Sequence, residues 1–172
     1  MSSIRTSDLL LLGKANGFAT GILGLELYDW QREVMQSVDP AGSNVAVKAA
    51  NGSGKSTRLG APLAIWNAAT FPGSLTIVTA GVYRQVKEQF FPAIRSFAPL
   101  FPEWKFLDTE VETPAGSRIY GFSTDDAGKF EGWHNDNLLV ICDEAKSIPD
   151  SIFQGNYSGP PWPKKSKIQL VL

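Results

Sequence analysis

The sequence has little of several features that would point to particular classes of protein. Its 172 residues include one cysteine and one histidine, and the formal net charge is −1. A single cysteine, Cys142, cannot form a disulfide within the chain, which fits a reducing compartment. The longest early apolar run, residues 9–12, is too short for a membrane span or a signal-peptide core. Because overall basicity is lacking, contact with nucleic acid would need a local basic patch.

The composition is otherwise that of an ordinary soluble globular protein, with 43% apolar and 19% charged residues. The length is sufficient for one domain with a sizeable core. We expect a lead-in with one short helix over residues 1–27 and a nucleotide-binding core over residues 28–172. The single histidine, His134, lies in a polar loop, where structural histidines are commoner than catalytic ones, so we assign it no role.

The stretch from Val45 to Thr57 carries the clearest chemistry. It reads as a short apolar strand, a loop that contains two glycines, and the first turn of a helix. Unpaired N–H groups at a helix N-terminus bind anions, and glycines let the backbone approach phosphate oxygens closely. In the pattern G-x-x-x-x-G-K-[ST], the lysine reaches the β- and γ-phosphates and the hydroxyl residue ligates Mg²⁺. The predicted nucleotide contacts are Asn51, Gly52, Ser53, Gly54, Lys55, Ser56 and Thr57, with Ser56 also a metal ligand.

The match to this pattern has one departure, because Ala49 stands where the first glycine is expected. A glycine-rich turn that binds nothing is therefore an alternative interpretation. The position directly after an apolar Val-Ala-Val strand favours phosphate binding, since the motif is meaningful only between a strand and a helix.

A second motif lies at residues 137–145, where five apolar residues are followed by Asp143 and Glu144. This pattern predicts a buried strand that delivers two carboxylates at its C-terminal end, where ligands bind in open α/β sheets. Asp143 would hold Mg²⁺ and its water shell, and Glu144 would orient or deprotonate the attacking water. Acids after a strand can instead cap a helix, but the two motifs together favour nucleoside triphosphate binding. Cys142 is interpreted as a small buried apolar residue of the strand.

The segments around the two motifs alternate between strand and helix patterns. Residues 74–80 and 168–172 are short and rich in β-branched and apolar residues, which predicts strands. Residues 110–122 predict a hairpin, while Pro62 and Pro92 predict kinks inside two helices. The alternation of strands and helices indicates an α/β fold with a parallel sheet.

A helix is predicted to start at Asp29, its N-cap, and to pack Trp30, Val34 and Val38 against the core. Gln31 is the unusual member of this helix. Its side-chain amide offers both a donor and an acceptor, which reading an adenine edge requires. The alternative is a solvated helix glutamine.

On these residues the sequence resembles the N-terminal ATPase domain of a large terminase, the DNA-packaging motor of tailed bacteriophages and prophages. The resemblance runs from about residue 20 to the end of the sequence. The glutamine motif and the phosphate-loop and carboxylate motifs are shared with helicases of similar fold, but their spacing favours the terminase. The segments that carry the resemblance are Leu27–Glu33, Ala49–Ser56, Thr79–Val86, Gly128–Gly132 and Ile141–Ala145.

The resemblance implies a three-layer RecA-like P-loop NTPase domain, an α/β fold with a mostly parallel central sheet, in the additional-strand, catalytic-glutamate class. It implies ATP and Mg²⁺ as cofactors, Lys55, Asp143 and Glu144 as catalytic residues, and Tyr28 and Gln31 beside the adenine. The implied partners are double-stranded viral DNA, a portal protein, a small terminase subunit and further copies of the chain in a ring. The implied setting is the host bacterial cytoplasm, without a membrane.

The sequence departs from the family pattern in two respects. In the family, the strand that begins at Lys167 leads into a coupling motif and a nuclease domain, so we expect a truncated product or excised fragment without nuclease activity. Glu131 stands where family members often carry an arginine that acts on a neighbouring subunit, which leaves Arg84 and Arg118 as candidates and predicts slow turnover in isolation. The alternatives are a superfamily 2-type helicase or other DNA-dependent ATPase core, and a degenerate prophage fragment that binds nucleotide without turnover.

Overall fold

A computed structural model of the chain describes residues 13–40, 42–123, 135–144, 146 and 148, together with the backbone of 167–171. Within these residues, seven strands form one sheet in the order β1-β7-β6-β2-β5-β4-β3. The strands are β1 Asn44–Ala46, β2 Leu75–Ala80, β3 Lys105–Phe106, β4 Glu110–Glu112, β5 Arg118–Ser123, β6 Leu138–Asp143 and β7 Lys167–Val171.

The sheet has a parallel part and an antiparallel part. β1, β7, β6, β2 and β5 run parallel, while β4 pairs antiparallel with both β5 and β3. The predicted hairpin is therefore confirmed as β4 and β5, and Gly116 in its turn has a φ of 80° that favours glycine. The two-residue strand β3, at the far edge of the sheet, was not predicted because its sequence is too short to show an alternation.

The helices follow the strands as an α/β fold requires. α1 is Ala15–Gly21 and α2 is Asp29–Val38. A π-helical turn, Lys55–Gly60, continues as α3, Ala61–Thr70. The next helix is built from α4 Tyr83–Gln85, a π-helical turn Val86–Phe90 and α5 Phe91–Arg95, and a 3₁₀ turn follows at Ala98–Leu100.

Pro62 and Pro92 occupy equivalent places in the helices after β1 and β2. Each lies in the first two positions of an α-helical segment that follows a π-helical turn. The N–H of the residue before each proline bonds to a carbonyl five residues back, that of Ser56 or Val86. A proline ring clashes with the carbonyl four residues before it, and a wider turn relieves that clash. The predicted interruption of the helix is thus present at both prolines as a π-helical turn.

The core lies on both faces of the parallel strands. β2 and β6 are buried along their whole length, which explains their nearly continuous apolar sequences and confirms the two predicted buried strands. α3 is buried from Ala61 to Ala68, so it is covered on all sides rather than along one stripe. Cys142 is buried in β6, as expected for a small apolar residue.

α2 differs from its prediction in two details. Its N-cap is Tyr28, so the predicted N-cap at Asp29 is wrong by one residue. Its buried face consists of Gln31, Met35 and Val38, while Trp30 and Val34 pack at the rim of the core. The rotation follows from Gln31, whose hydrogen bonds draw it inward.

Several predictions fall on residues outside the described ranges. These include the lead-in before residue 13, the loop that contains Glu131 and His134, and the short helix after Pro149. No helix in the described part of the chain is long and apolar enough to cross a membrane.

Candidate functional site

The two sequence motifs meet at one edge of the sheet. The loop after β1 leads into the π-helical turn at Lys55, and Asp143 is the last residue of β6. In the parallel register Ala80, at the end of β2, lies opposite both Asp143 and Ser123, so three strands end at the same level. The carboxyl edge of a parallel sheet is where ligands bind in this class of fold.

The phosphate loop, residues 49–56, needs glycine at two positions. Gly52 has a φ of 76° and Gly54 a φ of 86°, values that residues with a side chain rarely adopt. At Gly54 space is also short, because an added Cβ would lie 3.1 Å from Cδ of Arg58. Gly54 is therefore fixed both by its backbone conformation and by its neighbour.

Lys55 folds back over the loop. Its Nζ donates to the carbonyl of Ala49 at 2.8 Å and to that of Ala50 at 3.2 Å. These contacts hold the ammonium at the mouth of the loop. Phosphate oxygens are stronger acceptors than neutral carbonyls, so a bound anion would compete well for the same donor.

Ser56 and Asp143 join the two motifs directly across 87 positions of the sequence. Ser56 Oγ donates to Oδ2 of Asp143 at 2.8 Å. Asp143 is 3% exposed, and this burial raises the pKa of its carboxyl group, while the hydrogen bond from Ser56 opposes that rise. A buried carboxylate beside a hydroxyl group is a set of hard oxygen ligands that suits a divalent cation.

Glu144 is in a different environment from the acid next to it. Its side chain is exposed, and its N–H donates to Oδ1 of Asp143 at 3.2 Å. Among the described residues it is the one non-glycine residue with a left-handed backbone, at a φ of 50°. Such a conformation costs about 1–3 kcal/mol and is typical of functional sites. The two carboxylates are thus separated into a buried one and an exposed one.

The base-side segment, residues 26–31, lies against the other side of the loop. Gln31 is 0% exposed; its Oε1 accepts from the N–H of Tyr28 at 3.0 Å, and its Nε2 donates to the carbonyl of Ser53 at 3.1 Å. The alternative of a solvated glutamine is therefore wrong. Tyr28 is 66% exposed beside it. The reading of an adenine edge by Gln31 stays a prediction.

The remaining loop residues differ in accessibility. Asn51, Gly52 and Thr57 are exposed, while Ser53 is half-buried. Ser53 Oγ is buried and has no hydrogen-bond partner in the described part of the chain. A hydroxyl donor without an acceptor, inside a loop of this shape, is suited to bond an oxygen of a ligand.

Arg58 is a residue that the sequence interpretation missed. It lies one helical turn after Gly54, covers that glycine, and donates from Nη1 to the carbonyl of Glu26. The spacing of four residues within a predicted helix could have placed its side chain beside Gly54. The contact with Glu26 joins segments 32 positions apart and has no signal in the sequence.

The two arginines predicted as candidates for action on a neighbour are in unequal positions. Arg84 follows β2 at the carboxyl edge, where it forms an ion pair with Glu88 at 2.6 Å. Arg118 is the first residue of β5, five positions before Ser123. At roughly 3.3 Å per residue this places it about 16 Å from the carboxyl edge. The structure therefore separates Arg118 from the candidate site of its own subunit.

Comparison with solved structures identifies the class of protein that has this fold. The ATPase domain of the Thermus phage P74-26 large terminase matches with a TM-score of 0.62 and 22% sequence identity, over 88% of this chain and 67% of that one. A large terminase from a thermophilic bacteriophage, solved with ATP-gamma-S, matches with a TM-score of 0.57 and 12% identity, over 98% of this chain and 38% of that one. No family model and no curated protein match the sequence.

These matches confirm the resemblance that the motifs indicated. The chain is a mixed α/β protein whose fold is similar to that of phage large terminase ATPase domains. It spans about two fifths of the length of the large terminases that include more than this domain.

Proposed function

We propose that the chain binds ATP together with Mg²⁺ and hydrolyses it, as the motor domain of a phage large terminase that drives viral double-stranded DNA into a procapsid. The observation that carries this proposal is the 2.8 Å hydrogen bond from Ser56 to Asp143. It brings the hydroxyl group of the phosphate loop to the carboxylate at the end of β6, and a nucleotide–metal complex needs both groups in one place.

The residues at this contact fit a magnesium ion. Mg²⁺ prefers oxygen ligands and is usually held by one or two carboxylates, with water and substrate phosphates completing its shell. The described residues contain no cluster of three or more histidine, cysteine or acidic side chains, so the nucleotide would supply further ligands. When bound, the cation would neutralise charge that develops on the β- and γ-phosphates.

Each of the remaining groups has a role in this proposal. The backbone N–H groups of residues 51–57 and the unpartnered hydroxyl of Ser53 bind phosphate oxygens. Lys55 exchanges its two carbonyl contacts for the β- and γ-phosphates. Glu144, exposed at the carboxyl edge, orients the attacking water and accepts its proton.

We assign the fold to the RecA-like, additional-strand class on the order of the strands. β7 lies between β1, which precedes the phosphate loop, and β6, which ends in Asp143. A strand inserted at this place is the feature that the class name describes. In this assignment residues 1–27 are a lead-in and residues 28–172 the nucleotide-binding core of one domain.

The packaging role depends on the relatives, which are named as large terminases. It implies double-stranded DNA, a portal protein and a small terminase subunit as partners, a ring of subunits, and the host cytoplasm as the setting. A superfamily 2-type helicase would require a second RecA-like lobe, and a binding-only fragment would bind ATP without turnover under any stimulation.

The proposal is tested by measuring ATP affinity by calorimetry with Mg²⁺ and with EDTA. Wild type should bind more tightly with Mg²⁺, and Asp143→Asn should lose most of that difference because one of the metal's oxygen ligands loses its charge. Asp108→Asn is the matched control, since Asp108 is an exposed carboxylate paired with Lys87 outside the site. Equal dependence on Mg²⁺ in wild type and Asp143→Asn would overturn the assignment.

A further inference from the structure

Two polar side chains join the base-side segment to the phosphate loop, and they run in opposite directions. From the segment, Gln31 Nε2 donates to the carbonyl of Ser53 at 3.1 Å. From the helix after the loop, Arg58 Nη1 donates back to the carbonyl of Glu26. We call this pair of hydrogen bonds the clasp. It ties the two walls of the site together at two points, one on each side of Gly54.

Gly54 shows how closely the clasp contacts the loop. A Cβ at this position would lie 3.1 Å from Cδ of Arg58 and 3.3 Å from Nε2 of Gln31. Both side chains of the clasp therefore pack against the residue that precedes Lys55. A displacement of the base-side segment would move groups that support the backbone of the phosphate loop.

We propose that Arg58 is a positioning residue for nucleotide binding. It holds the base-side segment at a fixed distance from the phosphate loop, so that one ligand can contact both walls at once. This inference rests on the proposed function, because it requires that ATP binds at this site. Holding two contact surfaces in the correct relative position raises the effective concentration of one for the other, and this gain exists only for a ligand that spans both.

The inference predicts an effect that depends on the ligand. Without Arg58, the phosphate loop keeps its glycines, Lys55 and the tether from Gln31, so a bare triphosphate should bind as before. ATP should lose the part of its affinity that comes from the base and ribose. A hydrogen bond with a charged donor contributes about 1.5–3 kcal/mol, and less at an exposed position. We therefore expect ATP to bind about three- to tenfold more weakly.

The experiment compares Mg-ATP and Mg-tripolyphosphate by calorimetry on four proteins. These are wild type, Arg58→Ala, Arg58→Lys, which keeps a charged donor, and Arg95→Ala. Arg95→Ala is the matched control, because Arg95 Nη1 makes the same kind of bond to the carbonyl of Asp108, at 2.6 Å, away from the site. The thermal midpoint of each protein is recorded, so that a general loss of stability is seen separately.

The expected result is a lower ratio of ATP to tripolyphosphate affinity in Arg58→Ala, partial recovery in Arg58→Lys, and the wild-type ratio in Arg95→Ala. An equal loss for both ligands would overturn the inference, since Arg58 would then act on the phosphates or the loop alone. An unchanged ratio in Arg58→Ala would also overturn it. Failure of the wild type to bind either ligand would instead overturn the proposed function, and the role of Arg58 with it.

Discussion

The two sides of the candidate site are held together by different kinds of contact. On the phosphate side, Lys55 and Ser56 bond to atoms of other segments, two loop carbonyls and the carboxylate of Asp143. On the base side, the N–H of Tyr28 bonds within the segment, and the amide of Gln31 is fully buried with both of its ends in use.

This difference indicates which side contributes most of the binding free energy. The acceptors on the phosphate side are groups that a phosphate or a cation can replace with a gain, because the ligand carries the larger charge. The groups on the base side already have good partners, so a base adds few new hydrogen bonds. We therefore expect strong dependence on the triphosphate and modest selectivity for the base.

The largest effect that would sharpen this comparison concerns turnover. A phosphate side that binds well still lacks full catalysis if no arginine stabilises the transition state, and a missing arginine costs about 10³–10⁵ in rate. Arg84 is at the carboxyl edge, where it could act on a neighbouring subunit. We expect the ATPase rate per subunit to rise with protein concentration, and Arg84→Ala to remove this rise while Arg95→Ala keeps it.

The measurement is a steady-state ATPase series over a wide concentration range, with and without double-stranded DNA. A rate that is already fast at the lowest concentration and stays flat would show that a residue of the same subunit completes the site. In that case the expectation of slow turnover in isolation is wrong.

Removal of the exposed acid should have the next largest effect. Glu144→Gln keeps the shape of the side chain but cannot accept a proton, and a general base contributes about 10²–10⁴ in rate. The variant should bind ATP with unchanged affinity and hydrolyse it slowly, as single-turnover assays would show. Glu103→Gln, at an exposed glutamate away from the site, should keep the wild-type rate. Wild-type turnover in Glu144→Gln would remove Glu144 from the mechanism.

A smaller effect, on affinity, is expected at Lys55. Lys55→Ala removes the cation that would pair with the β- and γ-phosphates, and a charged hydrogen bond of this kind contributes about 1.5–3 kcal/mol. ATP should bind about ten- to a hundredfold more weakly by calorimetry. Lys105→Ala, which removes an exposed lysine paired with Glu112, is the control. The same affinity in Lys55→Ala and wild type would mean that the phosphates do not lie at this loop.

The phosphate side could be predicted from the sequence because its signals are local. A glycine-bearing loop between a strand and a helix, and an apolar run that ends in two acids, each indicate their own structure. The contact between Ser56 and Asp143 then follows from the parallel strands, whose carboxyl ends meet at one edge. The base side could not be predicted in the same way, because the burial of Gln31 and the reach of Arg58 to Glu26 depend on tertiary packing.

Two features of the fold escaped the sequence for similar reasons. The position of β7 between β1 and β6 is set by how the chain crosses over the sheet, and no local pattern reports it. The place of Arg118 at the start of β5, rather than near the carboxyl edge, depends on the register of a strand whose pairing is non-local. In both cases the residues showed the type of element but not its neighbours.

The smallest expected effect tests the base side directly. Each end of the Gln31 amide has one hydrogen bond in use and can form one more, because the oxygen has two lone pairs and the nitrogen two hydrogens. That remaining pair matches the N6 donor and N7 acceptor of adenine, whereas guanine presents two acceptors on the same edge. Since Gln31 is fully buried, a base can reach it only if the exposed Tyr28 moves aside. We therefore expect Gln31→Ala to narrow the preference for ATP over GTP by only about a few-fold. The substitution also leaves the N–H of Tyr28 and the carbonyl of Ser53 without their partner, which should weaken the loop for both nucleotides alike. The ratio of the two affinities cancels this shared loss, so it isolates the reading of the base. An unchanged ratio, with both affinities reduced, would show that Gln31 supports the phosphate loop and does not select the base.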